Sequence, residues 1–202
     1  MAIAFTPDER ERIRALLLDT GEELFASQGL KKTSLDELVA PAGVAKGSFY
    51  AFFDSKEALY AAVMVRRAPL IAERLAPALA APADVDGVAA LLRDVTDVLT
   101  TDPFYRRLFT HPEELRAVAR RVAPEDVARV GPHLVTPLTD YIERGQRDGL
   151  LVAGIAPETV MGVMRSAGLI VMNRELFGED YPRVLDAAIR TLARGLTTGE
   201  RS

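Results

Sequence analysis

Lysine is scarce in this chain. Its 202 residues hold only Lys31, Lys32, Lys46 and Lys56. Aromatic residues are also few, yet four of the eight Phe and five Tyr fall within residues 49–53. On a short helix over 45–53, residues three and four apart share a face. Phe49 and Phe53 then face inward together, with Val44 as a further anchor. Lys46 and Tyr50 fall on a different face, with Gly47 and Ser48 near the helix start. An ammonium, a phenol, a small hydroxyl and a glycine that permits close approach suit phosphate oxygens and base edges in a major groove. Lys56 sits in the first turn of the next helix, where the dipole favours anions over cations. A bound phosphate would resolve that conflict, because helix N-termini are anion sites. Lys32, Thr33 and Ser34 stand in the same relation to the short helix that they precede.

The elements that hold these groups read as helices. Over residues 8–27, Ile13, Leu16, Leu17, Leu24 and Phe25 recur at helical spacing, and Gly29 follows as a terminator. Ser34 and Glu37 form a capping box. The helix that it opens is short, with Leu35, Leu38 and Val39 apolar and Pro41 and Gly43 closing it. A second capping box, residues 54–57, opens a helix expected to reach about Arg67. Residues 8–53 therefore read as a long helix followed by a helix-turn-helix. The domain expectation is 1–66 for this unit and 67–202 for the remainder.

Ten of the twelve prolines lie at or beyond Pro69. Most stand at plausible helix starts, and between them are amphipathic segments at about 84–100, 103–121, 132–148, 157–177 and 182–196. Pro137 implies a kink or a late start in the third of these. With no strand-like alternation of useful length, the fold class is all-α.

Composition removes several function classes. Without cysteine there is no disulfide or thiolate metal site. His111 and His133 are isolated, and no nucleophile motif or Gly-rich phosphate loop appears. No catalytic residue, metal or cofactor is expected. Glu113 and Glu114 follow Pro112 at a helix start, where acids are at home. No apolar run reaches membrane-spanning length and no signal peptide opens the chain, so a cytoplasmic protein is expected. The net charge of -4 argues against whole-surface nucleic-acid binding but not against a local patch. Residues 28–56 carry the four lysines against Asp36, Glu37 and Asp54, a net +1.

The run TSLDELVAPAGVAKGSFYAFFDSKEALYAAV resembles the N-terminal DNA-binding domain of TetR-family transcriptional regulators. The matching positions are Thr33, Ser34, Leu38, Ala42, Gly43, Val44, Gly47, Phe49, Tyr50, Phe53, Ser55, Lys56, Glu57 and Leu59. The resemblance covers about the first 65 residues. It implies a homodimeric regulator, usually a repressor, released by a small molecule from a two-fold-symmetric double-stranded operator. It also implies DNA contacts from residues matching Thr33, Lys46, Ser48, Tyr50 and Lys56, with Tyr50 and Lys56 on phosphates. Four positions depart from the pattern, one of them Pro41, which ends the preceding helix early. Ala45 replaces a serine cap, a loss of about 0.5–2 kcal/mol. Ala51 stands where a polar residue is common, and Phe52 replaces His or Tyr. Specificity then leans on Lys46, Ser48 and the N-terminal arm.

The resemblance also implies an effector pocket among the middle helices. Candidate liners are Phe104, Tyr105, Phe109, His111, Met161, Met164 and Arg165, a mixture of apolar walls and a few polar groups. Ordinary core explains the apolar ones equally well, and Arg165 has Glu158 and Glu175 as alternative surface partners. The helices near 157–177 and 182–196 are either internal core or, as the resemblance implies, the interface of a homodimer. The alternative to a ligand-gated repressor is a dimeric small-molecule-binding protein that has lost DNA recognition, motivated by Ala45, Ala51 and the acidic charge.

Overall fold

The computed structural model describes residues 5–120 and 124–198. Among them are α1 (Pro7–Ser27), α2 (Gly29–Lys32), α3 (Leu35–Val39), α4 (Lys56–Ala80), α5 (Val85–Thr101), α6 (Pro103–Thr110), α7 (Pro112–Ala119), α8 (Pro124–Arg147), α9 (Pro157–Met172) and α10 (Tyr181–Leu196). Three tighter 3-10 segments, Ala40–Ala42, Lys46–Ala51 and Arg174–Asp180, complete the helical content. Pairing of extended chain among the described residues is limited to an isolated bridge between Leu151 and Thr197.

Thr6 starts α1 by accepting from the Glu9 amide at 3.3 Å, while the Glu9 carboxylate takes the Thr6 amide at 2.8 Å. Ile13, Leu17, Gly21 and Phe25 form its buried face, and Leu16 and Leu24 are half-buried beside them. Gly21 is small for a reason. A Cβ there would stand 3.0 Å from the Leu59 side chain of α4.

The helix expected to end near Arg67 continues as α4 to Ala80, through Pro69 and Pro77. A proline inside a helix loses a hydrogen bond and crowds the preceding turn. Burial outweighs that cost here: Ala68, Ile71 and Ala78 are all buried, and α4 packs extensively on α8. The 103–121 segment is two helices, α6 and α7. His111 between them is non-helical, with φ -127° and ψ 72°, because it precedes Pro112 and proline disfavours an α conformation in the residue before it. The segment expected at 132–148 starts earlier, so Pro132 and Pro137 both lie inside α8. The 157–177 segment stops at Met172, and the chain turns through Gly178 at φ 52° before α10.

Two apolar cores result. One joins α1, α3, the 46–51 segment and the first turns of α4 to Phe104, Tyr105 and Val118. The other lies among the end of α4 and α5, α8, α9 and α10.

Candidate nucleic-acid interface

The apolar residues of the 43–57 stretch fix its polar face. Phe49 is fully buried and Phe53 nearly so, with ring centroids 6.0 Å apart. Val44 is half-buried against the same core. Tyr50 packs edge-on against Phe49 at 5.6 Å, yet is 58% exposed. Before this segment, Gly43 takes φ 65° and ψ 27°, a left-handed turn that favours glycine. The segment itself is a 3-10 turn over Lys46–Ala51, not the α-helix expected over 45–53. Ala45 at its start supplies no side-chain cap. Its carbonyl accepts from the Ser48 amide at 2.8 Å, which is the tighter i to i+3 bond.

Lys46, Gly47 and Tyr50 are exposed, and Ser48 is half-buried. A Cβ on Gly47 would meet no atom of the protein within 4 Å. Nothing inside the fold therefore requires glycine there. The Lys46 ammonium lies 2.8 Å from the Asp36 carboxylate of α3. That hydrogen bond and the Asp36 charge hold the Lys46 pKa above its ordinary value. Both side chains are largely solvated, so the pair is weak and exchangeable.

The upstream groups divide. Lys31 and Lys32 are exposed at the end of α2. Ser34 caps α3, accepting from the Glu37 amide at 3.2 Å, while Glu37 accepts from the Ser34 amide at 2.8 Å and from Gln28 at 3.1 Å. The Ser34 amide, then Gln28 and the Ser34 hydroxyl, lower the Glu37 pKa to about 2.

Two groups expected to touch DNA hold bonds inside the fold. Thr33 is buried, and its hydroxyl donates to the Gly29 carbonyl at 2.7 Å, closing the last turn of α2. Lys56 donates to the Leu30 carbonyl at 2.9 Å and the Thr33 carbonyl at 2.5 Å. The cation at the start of α4 is thus matched by carbonyls of the protein, where a phosphate was expected. The second capping box also stays open. Ser55 accepts from the Ala58 amide at 3.1 Å, so the third helical residue is Ala58 and no carboxylate reaches back.

One group of contacts was not legible in the sequence. Arg10 of α1 donates to the Ala51 carbonyl at 2.9 Å and lies over the Phe52 ring at 5.2 Å. Phe5 also packs on Phe52, with centroids 5.6 Å apart. Arg14 stands over Phe53 at 4.9 Å. At these two departures Phe52 is thus half-buried beneath Phe5 and Arg10, while Ala51 stays exposed with its carbonyl bonded to Arg10. The only available signal was the charged run after Phe5.

The effector candidates do not form one pocket. Phe104 and Tyr105 are buried in the first core, and Phe104 packs on Tyr60 at 4.8 Å. Met161 and Met164 are buried in the second core. Arg165 is exposed, with a guanidinium nitrogen 3.1 Å from the Met161 sulfur, and pairs with neither Glu158 nor Glu175. His111 is half-buried, its Nδ1 3.2 Å from the Arg107 carbonyl. The Phe109 side chain lies outside the described residues. A recess of about 480 Å³ does lie between α1, α4 and α6, bordered by Glu22, Arg66, Arg67 and Phe104.

An all-helical chain with an N-terminal helix-turn-helix and a larger helical remainder defines a class of DNA-binding regulator folds. Residues 17–63 match the family described as bacterial regulatory proteins, tetR family. Over 62 residues the chain is 44% identical to the HTH-type transcriptional repressor NemR of Escherichia coli strain K12. That match spans 31% of this chain and 31% of the relative. A TetR-family transcriptional regulator from Pectobacterium atrosepticum superposes with a TM-score of 0.69 at 28% identity, over 98% of this chain and 100% of that one. The structure of RolR with the ligand resorcinol superposes with a TM-score of 0.66 at 17% identity, over 95% and 90% of the two chains. The N-terminal domain is a TetR-family helix-turn-helix, and the chain as a whole has the TetR-family regulator fold.

Proposed function

We propose that this protein is a homodimeric transcriptional repressor that a small molecule releases from a two-fold-symmetric operator. The observation that carries the reading is the exposed group of Lys46, Gly47, Ser48 and Tyr50 on a segment anchored by buried Phe49. It presents exposed donors, Lys46 held only by a solvated pair with Asp36, beside a glycine whose added Cβ would meet no atom of the protein within 4 Å. In this reading Lys46 and Ser48 reach base edges and phosphates, Tyr50 grips a phosphate, and Lys32 and Ser34 sit at the groove edge. Thr33 and Lys56 act as internal supports. The domain division is kept near residue 66, with α4 running through it as the shared strut.

The dimer surface is proposed on α9 and the segment after it. Val163, Leu169 and Leu176 are large and exposed, Leu176 at 79%. Val160, Met161, Met164 and Ala167 of the same helix face their own core, and the α10 stripe through Val184, Leu185, Ala188, Ile189 and Leu192 is buried or half-buried. The outward apolar face thus begins with Gly162 and Val163 and continues through Leu169. The effector site is proposed where α6 meets α1 and α4, at the recess bordered by Phe104. A ligand there would shift the population between two spacings of the reading segments.

Selection of bound sequences from randomised duplexes by the full-length protein tests this. The expected product is a palindrome whose half-sites lie about 34–36 Å apart or a multiple of that. A folded, ligand-free dimer that enriches nothing at low salt overturns the reading and leaves the dimeric small-molecule-binding protein in its place.

A further inference from the structure

The joint between α1 and α2 is where the chain leaves its supporting helix and enters the helix-turn-helix. Gly29 makes that joint at φ +84°, a conformation that side chains rarely adopt. The glycine also lies directly against two side chains of the C-terminal part. A Cβ at Gly29 would stand 2.1 Å from Arg107 Nη2, 2.2 Å from Arg107 Nε and 2.3 Å from Glu114 Oε1. Arg107 belongs to α6 and Glu114 to α7, and they form an ion pair at 3.1 Å. The Glu114 side chain is 5% exposed and that of Arg107 is 18% exposed. The second Glu114 oxygen is buried without a hydrogen-bond partner. A buried carboxylate held on one side only depends strongly on its cation.

From this contact a continuous line of short bonds leads to the reading segment. The Gly29 carbonyl accepts from the Thr33 hydroxyl at 2.7 Å and from the Thr33 amide at 3.2 Å. Lys56 ties the Leu30 and Thr33 carbonyls to the start of α4. Ser34 follows directly as the cap of α3, and Asp36 on α3 meets Lys46 at 2.8 Å. Each link is a packed, covalent or hydrogen-bonded neighbour of the next, the last of them the solvated Asp36–Lys46 pair, and energetic coupling is tested by perturbing one end and reading the other.

We infer that the Arg107–Glu114 pair is a positioning device for the DNA-reading segment, acting through the Gly29 joint. Glu114 borders a recess with Leu30, Lys31 and Lys56, and neither member of the pair is among the groups proposed to touch DNA. The pair sets the angle at which α2 leaves α1, and with it the attitude of α3 and the 46–51 segment. The second half of the test rests on the DNA-binding reading; the first half does not.

The test compares the full-length protein with Glu114→Gln, Arg107→Lys and, as control, Glu113→Gln, which removes the same charge from an exposed neighbour. Amide hydrogen exchange is followed in the absence of DNA. Glu114→Gln is expected to speed exchange across residues 29–39 about tenfold, with a smaller effect from Arg107→Lys. Amides of α9 and α10 should be unchanged, and the control should match the wild type. On a duplex selected by the wild type, Glu114→Gln should weaken binding about tenfold, with the slope of affinity against salt unchanged, because no phosphate contact is lost. Unchanged exchange over 29–39, or faster exchange spread evenly over the whole chain, overturns the inference. Failure of the wild type to bind any duplex counts against the DNA reading alone, and the exchange data still decide this one.

Discussion

The Lys56 ammonium lies 2.5 Å from the Thr33 carbonyl oxygen, so the first residue of α4 holds the last turn of α2. The lysine is half-buried and also takes the Leu30 carbonyl. A hydrogen bond to a charged group stabilises a fold by about 1.5–3 kcal/mol, and the partial exposure of Lys56 brings its two bonds together to the lower part of that range. Lys56→Met should therefore lower unfolding free energy by about 2 kcal/mol in denaturant titrations without DNA. A variant as stable as the wild type would show that the ammonium is not a structural support.

Gly47→Ala separates fold from recognition. The added methyl meets nothing in the protein, and its effect on stability should stay within about 1 kcal/mol, in the stabilising direction. If a groove approaches Gly47 closely, duplex affinity should fall at least about tenfold. Anisotropy titration of a selected duplex measures it, and equal affinity would remove Gly47 from the interface.

Glu37 gives the helix-turn-helix a defined acid sensitivity. Its folded pKa is lowered from 4.5 to about 2 by the Ser34 amide, Gln28 and the Ser34 hydroxyl. A depressed folded pKa means that the contribution is fully present above pH 4.5 and is lost as pH falls toward 2. Glu37→Gln keeps a cap but does not titrate, so its stability should fall less than that of the wild type between pH 5 and pH 2. Urea midpoints across that range provide the comparison. Parallel losses would assign the acid sensitivity elsewhere.

Leu169→Glu probes the proposed dimer. Leu169 is 57% exposed on α9, so the protomer should keep its stability within about 0.5 kcal/mol. Burying a carboxylate against a second copy is costly, and sedimentation should report a monomer. A dimer of wild-type strength would place the interface on another face.

The helix-turn-helix was legible because its signals are local. Ser34 and Glu37 cap within four residues, and the Phe49–Phe53 spacing is the period of one turn. Gly43 marks a turn by its type alone. The internal bonds that the sequence did not announce were those whose partners lie far along the chain. Lys56 looked like a phosphate ligand because its acceptors, Leu30 and Thr33, are more than twenty residues upstream. Thr33 was read as a DNA contact by resemblance, and its burial depends on packing that the local sequence does not show. The length of α4 was missed because Pro69 and Pro77 oppose a helix locally, and only burial of Ala68, Ile71 and Ala78 overrides them. The effector candidates were grouped by type, and the fold puts Phe104 and Tyr105 in one core, Met161 and Met164 in the other, and Arg165 at the surface. The Arg107–Glu114 contact with Gly29 spans nearly eighty residues, and no pattern in the sequence announces it.

The central claim is that Lys46 and Tyr50 touch DNA. The direct test is a titration of a selected duplex by wild type and by Lys46→Ala/Tyr50→Ala across a range of salt concentrations. The account predicts that the double variant folds normally, binds at least about a hundredfold more weakly, and has a salt slope shallower by about one for each Lys46–phosphate contact removed. Equal affinity and an equal slope for the two proteins would contradict it.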